Sequence, residues 1–202
     1  MCGIFRDFPT RYRGRTGSQV RVGFTLKGVS RDGLPEPAAI EPVSNGIRIR
    51  IGDPDKMLEP GDHRYVIHYR TTRQIGRFDD YDELYWNVTG DEWDVPIESA
   101  TARVLLPDKA TGVKALAFNG AYGAREQHAD IRIEGSEIHY QMTRPLGFRE
   151  GLTAVVGWDK GLVDEPGPLQ LTQLFLRSNW PLALPVGVFG VMWYLWYTRG
   201  RD

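Results

Sequence analysis

The sequence predicts an all-β fold, an antiparallel β-sandwich of immunoglobulin-like character, followed by one C-terminal transmembrane helix. Three observations predict it. Residues 19–160 alternate apolar and polar side chains with period two in many short runs. Turn-forming Gly, Asn and Pro separate those runs. A stretch of 21 residues without a charge, Ser178 to Thr198, lies close to the C-terminus. The chain has 202 residues, 41% hydrophobic and 25% charged, enough to bury a core without disulfides.

Taken in order, Val20, Val22, Phe24 and Leu26 alternate with Arg21, Gly23, Thr25 and Lys27. Ile47, Ile49 and Ile51 alternate with Arg48 and Arg50. Tyr65, Ile67 and Tyr69 follow, then Leu84, Trp86 and Val88, then Ala102, Val104 and Leu106. Ile131 and Ile133 pair with Ile138, Tyr140 and Met142 across Gly135-Ser136, the clearest hairpin. Leu152, Ala154, Val156 and Trp158 close the series. Successive strand side chains point to opposite faces, so each run offers one face to a core. Asp32-Gly33, Asn45-Gly46 and Asn119-Gly120 supply the positive φ angles of tight turns. No segment of helical period precedes residue 169. The expected division is a β domain over 1–165, a juxtamembrane connector over 166–177, the membrane helix over 178–198 and a tail over 199–202.

The mean hydropathy of −0.38 hides the C-terminal extreme. As a helix, 21 residues span about 30 Å, the thickness of a bilayer core. Trp180 stands at one end, Trp193, Trp196 and Tyr197 at the other, where membrane-interface aromatics belong. Pro185, Gly187 and Gly190 are tolerated in lipid. A buried hairpin or core helix is the alternative. Arg199 and Arg201 bias the C-terminus toward the cytoplasm. The expected placement is therefore a single pass through the cytoplasmic (inner) membrane with the β domain outside and the lipid bilayer as partner. The first 30 residues hold no apolar run of signal-peptide length, which points to an upstream start or a reversed orientation. Cys2 follows no apolar region, so lipidation is not expected.

A net charge of −1 argues against nucleic acid as partner, and a single Cys excludes a disulfide framework or a multi-Cys zinc site. The densest polar segment, FDDYDELYWNVTGDEWD over residues 78–94, makes Asp79, Asp80, Asp82 and Glu83 candidate ligands for a hard cation such as Ca²⁺. Its spacing does not match an EF-hand loop. A pair of its carboxylates could also serve acid–base hydrolysis. The plainer reading is an acidic loop leading into a strand whose Trp86 packs inward. His63, His68, His128 and His139 show no zinc spacing and suit the surface. GxSxG, Walker A and GxGxxG are absent, so no catalytic residue and no cofactor is assigned, and enzymatic activity is not the favoured reading. Asn87-Val88-Thr89 satisfies the glycosylation triplet but falls within a strand. Arg6, Arg11, Arg13, Arg15 and Arg21 form a basic N-terminal stretch, either a solvated loop or a contact for anionic head groups or an acidic partner.

The run YRTTRQIGRFDDYDELYWNVTGDEWDVPI, residues 69–97, resembles the central signature of bacterial predicted membrane proteins classed as domain of unknown function 2207. GIFRDFPTRYRG (3–14), SNGIRIRIGD (44–53) and TRPLGFREGLTAVVGWDKGLV (143–163) are similar to other parts of that family, and YTRGRD resembles the junction after its first membrane helix. The resemblance implies an external β domain tethered by a membrane helix. It also implies a signal peptide and opening strand upstream and further segments downstream, so this chain is expected to be shortened at both ends. The family brings no assigned active site. The function that follows is a membrane-anchored envelope protein whose β domain serves a binding, assembly or structural role, with an envelope protein as a further partner. The alternative is a metal-dependent or carboxylate-based envelope enzyme centred on residues 79–94.

Overall fold

A computed structural model describes residues 3–13 and 17–200. Its strands are β1 (Ile4–Pro9), β2 (Arg11–Arg13), β3 (Gln19–Arg21), β4 (Phe24–Arg31), β5 (Leu34–Pro35), β6 (Ala38–Val43), β7 (Gly46–Ile51) and β8 (Tyr65–Thr71). They continue with β9 (Ile75–Arg77), β10 (Tyr81–Asn87), β11 (Thr101–Leu105), β12 (Lys114–Gly120), β13 (Ala129–Glu134), β14 (Glu137–Met142) and β15 (Gly151–Asp159). Two helices follow, α1 (Pro168–Ser178) and α2 (Leu184–Arg199), joined by a 3-10 turn at Trp180–Ala183. The chain divides into two compact units, Met1–Thr10 with Val22–Asp164, and Arg11–Arg21 with Glu165–Asp202.

The first unit is all antiparallel β, as the alternation predicts. Its sheets run β1-β7-β6, β5-β4-β8, β12-β15-β10-β9 and β11-β14-β13. In place of one immunoglobulin-like sandwich it has two cores. Phe8, Ile49 and Ile51 anchor the first, with Phe24, Leu26, Ile67 and Tyr69 packed against them. Ile138, Tyr140, Leu146, Leu152, Val156 and Trp158 dominate the second. Trp86 of β10 joins the two lobes built on these cores: its ring stacks on Tyr69 at 6.2 Å and packs against the first core.

Central strands carry the expected alternation. In β14 Ile138, Tyr140 and Met142 are buried, while Glu137, His139 and Gln141 face out. β15 is central and buried on both faces, so Val155 is buried along with Leu152, Ala154 and Val156. The phenol of Tyr140 donates to the Val155 carbonyl oxygen at 2.8 Å, and burial holds its proton far more tightly than usual. Asp32-Gly33 forms the expected turn, with φ of 54° and 84°. Asn119-Gly120 does not: both residues lie inside β12, where buried Asn119 exchanges two hydrogen bonds with the His128 backbone.

The second unit departs furthest from expectation. Residues 11–21 leave the β domain as a hairpin, β2 paired with β3, and belong with the C-terminal segment. The expected connector is largely helix α1, started by Pro168 at its first turn, where a missing N–H costs nothing. The expected helix over 178–198 is interrupted. Asn179, at φ −127° and ψ 27°, leaves helical geometry and ends α1, and Pro181 then starts the 3-10 turn. The α2 helix that remains has 16 residues, and no helix among the described residues is long and apolar enough to cross a membrane.

Ile49→Ala should destabilise the first unit by about 3 kcal/mol, the usual cost of emptying a fully buried aliphatic site. Ile40→Ala, on the outer edge strand β6 and half exposed, should cost less than about 1 kcal/mol. Urea unfolding of both variants measures the contrast.

Candidate functional site

The acidic segment is dispersed by the strand pleat. Asp79 and Asp80 are exposed on the turn between β9 and β10, where Phe78 stacks on Tyr81 at 4.6 Å. Asp82 points into the second lobe and is fully buried. Its carboxylate accepts from Arg77 Nη1 at 3.3 Å and from Lys160 Nζ at 3.4 Å, and Arg77 Nη2 also donates to the Asp164 carbonyl at 2.8 Å. Glu83, the next strand residue, faces the other side, and partial burial raises its pKa. The four candidate ligands therefore do not meet. Among the described residues no three His, Cys, Asp or Glu side chains come together as a metal site. Asp82 is instead a buried carboxylate met by two partly exposed cations, which replace the water it lost.

The segment after β10 holds a feature that the sequence pattern does not announce. Arg6, on β1, is half-buried, with its guanidinium 5.2 Å from the Phe8 ring centroid. It donates to three successive carbonyls: Thr89 through a short contact, Val88 at 3.2 Å and Asn87 at 3.3 Å. Burial lowers its pKa, against the opposing pull of Tyr69, Asp91, Asp7 and Glu92. The glycosylation triplet is the frame of this receptor. The Asn87 side chain accepts from the Gly90 N–H at 2.7 Å, and the Thr89 hydroxyl accepts from the Leu152 N–H at 2.9 Å. Gly90 has φ of 79°, and a Cβ there would collide with the Arg6 guanidinium. Trp93 Nε1 donates to the Thr89 carbonyl at 2.8 Å.

Beside Arg6, Asp7 receives both arms of Arg48 at 2.7 Å, which lowers the Asp7 pKa. Glu92 shares a hydrogen bond with Asp7, and burial followed by that bond raises its pKa. The two carboxyls thus titrate apart, Asp7 below its ordinary range and Glu92 above it.

A second polar region covers the outer face of β11-β14-β13, a shallow concavity of about 620 Å³. Arg103, His139 and Arg132 stand directly opposite one another across its three strands. Glu137 binds Arg103 Nη2 at 2.9 Å and His139 Nε2 at 2.6 Å. His139 is thus an outward-facing surface residue, as its strand position predicts, and the row around it becomes visible only once the strands are in register.

The second unit gathers the predicted interface residues along its helices. Trp180 is exposed on the 3-10 turn, and Trp193, Trp196 and Tyr197 are exposed on the last turns of α2, with Arg199 its last residue. Arg201, like Cys2 and Arg15, lies outside the described residues. Large apolar side chains are exposed along the length of α2, from Leu184 through Phe189 and Met192 to Tyr197. A helix apolar all round has no polar side to give to water. The Asn179 side chain fastens the elbow before it: Oδ1 accepts from the Gln19 N–H at 3.0 Å, and Nδ2 donates to the Gln19 carbonyl at 3.1 Å.

The N-terminal-domain model of a family described as predicted membrane protein, DUF2207, matches residues 2–158, most of the chain. The chain belongs to the DUF2207 family. It is also 29% identical over 196 residues to the uncharacterized protein YciQ of Escherichia coli (strain K12). That match takes in 95% of this chain, so it extends past the family match into the helical segment. The chain spans only 30% of the length of YciQ. No solved structure matches it.

Asp82→Ala should cost about 1–2 kcal/mol in urea unfolding, because Arg77 and Lys160 lose a buried acceptor but, with side chains 26% and 34% exposed, keep access to water. Glu92 has a raised pKa, so wild-type stability gains from its protonation as pH falls from neutral into the mildly acidic range. Asp7 has a lowered pKa, so its contribution persists there and is lost only below the ordinary carboxylate range. Glu92→Gln should therefore melt higher than wild type at neutral pH, with the difference shrinking as the pH approaches the ordinary carboxylate range. A series of melting curves across that interval measures it.

Proposed function

We propose that this chain is a membrane-anchored envelope protein whose β unit serves a binding, assembly or structural role. The helical run Trp180–Arg199 crosses the cytoplasmic (inner) membrane once, with the β unit outside and the C-terminus in the cytoplasm. The observation that carries this reading is the exposure of large apolar side chains along the whole of α2, which lipid would cover and water would not. Although α2 alone reaches only about 24 Å, the preceding 3-10 turn runs directly into it. Together they extend about 30 Å, because 3-10 residues rise more steeply than α residues. Trp180 and the Trp193–Tyr197 group then sit at the two interfaces, with Arg199 beyond the second. Membership of a family of predicted membrane proteins supports the anchoring. For the β unit, the open polar concavity on β11-β14-β13 favours binding over catalysis, since it is shallow and its Arg103 and His139 are ion-paired to Glu137.

Fractionation should place the full chain in membranes and release it only with detergent. Recovery in the soluble fraction without detergent would overturn the anchor. Orientation is read by single cysteines in a Cys2→Ser background. A membrane-impermeant maleimide should label Tyr122→Cys, on a β-unit loop, from the outside and leave Thr198→Cys unlabelled until the membrane is opened.

A further inference from the structure

We propose that the β2-β3 hairpin is an anionic-lipid clamp, with Arg11, Arg13 and Arg21 binding the phosphates of bilayer head groups. The proposal rests on the membrane anchoring proposed above and adds the lipid chemistry that the anchor selects.

The register places the three arginines together. Arg11 stands directly opposite Arg21, and Arg13 lies two residues along the same strand opposite Gln19. All of these side chains share one face of the hairpin, with Tyr12 and Val20 on the other. All three arginines are solvent-exposed. Arginine suits head-group binding because its planar fork matches phosphate oxygens in pairs.

The hairpin is fixed where a head group would be. Gln19 of β3 is held by the Asn179 side chain, and Asn179 immediately precedes Trp180, the start of the apolar helical run. β3 also packs against α1, which carries exposed Leu169, Leu171, Phe175 and Leu176. Gln170, Gln173 and Arg177 form the polar stripe of that helix, the pattern of a segment lying in the plane of an interface.

Charge is segregated to match. The second unit has seven arginines against two acids, Glu165 and Asp202, a net +5. That leaves −6 for the first unit of a chain whose total is −1. An anionic bilayer attracts the unit that bears the apolar helices and repels the β unit. Near such a surface each arginine strengthens binding about fivefold, so three together supply on the order of 100-fold at low salt.

The test offers the full chain, diluted out of detergent, to two vesicle populations at once. One is phosphatidylcholine alone and the other is phosphatidylcholine with phosphatidylglycerol, distinguished by dye and recovered by flotation. Wild type should favour the anionic vesicles by on the order of 100-fold at low salt, and added salt should erode the preference. Arg11→Gln/Arg13→Gln/Arg21→Gln should still float but divide nearly evenly. Arg11→Lys/Arg13→Lys/Arg21→Lys should keep most of the preference, which separates lost charge from a lost hairpin. Even division by wild type, or a preference that survives the Gln substitutions, overturns the clamp alone. Failure of wild type to float with either population overturns the anchor beneath it.

Discussion

A guanidinium taken out of water must be met by oxygens, and in the β unit that requirement falls on Arg6. A half-buried arginine keeps its charge at any ordinary pH, so the surrounding chain adapts to it. The loop after β10 does so by turning the carbonyls of Asn87, Val88 and Thr89 toward one point. That turn needs the Asn87 side chain to hold the Gly90 N–H, and it needs Gly90 to have no side chain. Because β1 lies in the first lobe and this loop in the second, the same contact sets their relation, with the Tyr69–Trp86 stack beside it. What looks like a glycosylation triplet and an acidic loop is the mould of one arginine.

Every central strand was legible in the sequence, and so were some edges, β8, β11 and β13 among them. β4, β7, β10, β14 and β15 are central, have neighbours on both sides, and show plainly in the spacing of Ile, Leu, Val, Phe and Trp. The strands that alternation does not reveal, β1, β2, β5, β6, β9 and β12, are all sheet edges. Edges tolerate what centres refuse: Pro9 closes β1, Pro42 sits within β6, and β12 uses Ala115 and Ala117 where a larger residue would mark the pattern. The second core was illegible for a related reason, since period-two spacing says which side faces inward but not which core it enters.

The site was less legible than the fold. Counting carboxylates placed Asp79, Asp80, Asp82 and Glu83 together, while the pleat sends neighbours to opposite faces and gives Asp82 to Arg77 and Lys160. Counting charges likewise drew one helix through residues 178–198, because a charge count does not register the hydrogen-bonding role of Asn179. The uncharged Asn179 amide ends α1 there by bonding to the Gln19 backbone, 160 residues away in sequence, a partner that neither charge nor hydropathy announces. Arg6 and Arg11 show the same limit, since a basic stretch in sequence separates in space into a half-buried clasp and an exposed hairpin.

The hairpin also changes what a single cut in the chain could do. An ordinary anchored domain hangs from its anchor by one strand of polypeptide, and one protease cleavage sheds it. Here the backbone passes between the two units three times, at residues 10–11, 21–22 and 164–165. A nick after Asp164 leaves the β unit still continuous with the hairpin at both of its ends. The hairpin in turn remains bonded to Asn179 and packed on α1. Shedding would need those contacts to open as well, so the fold makes its own attachment redundant.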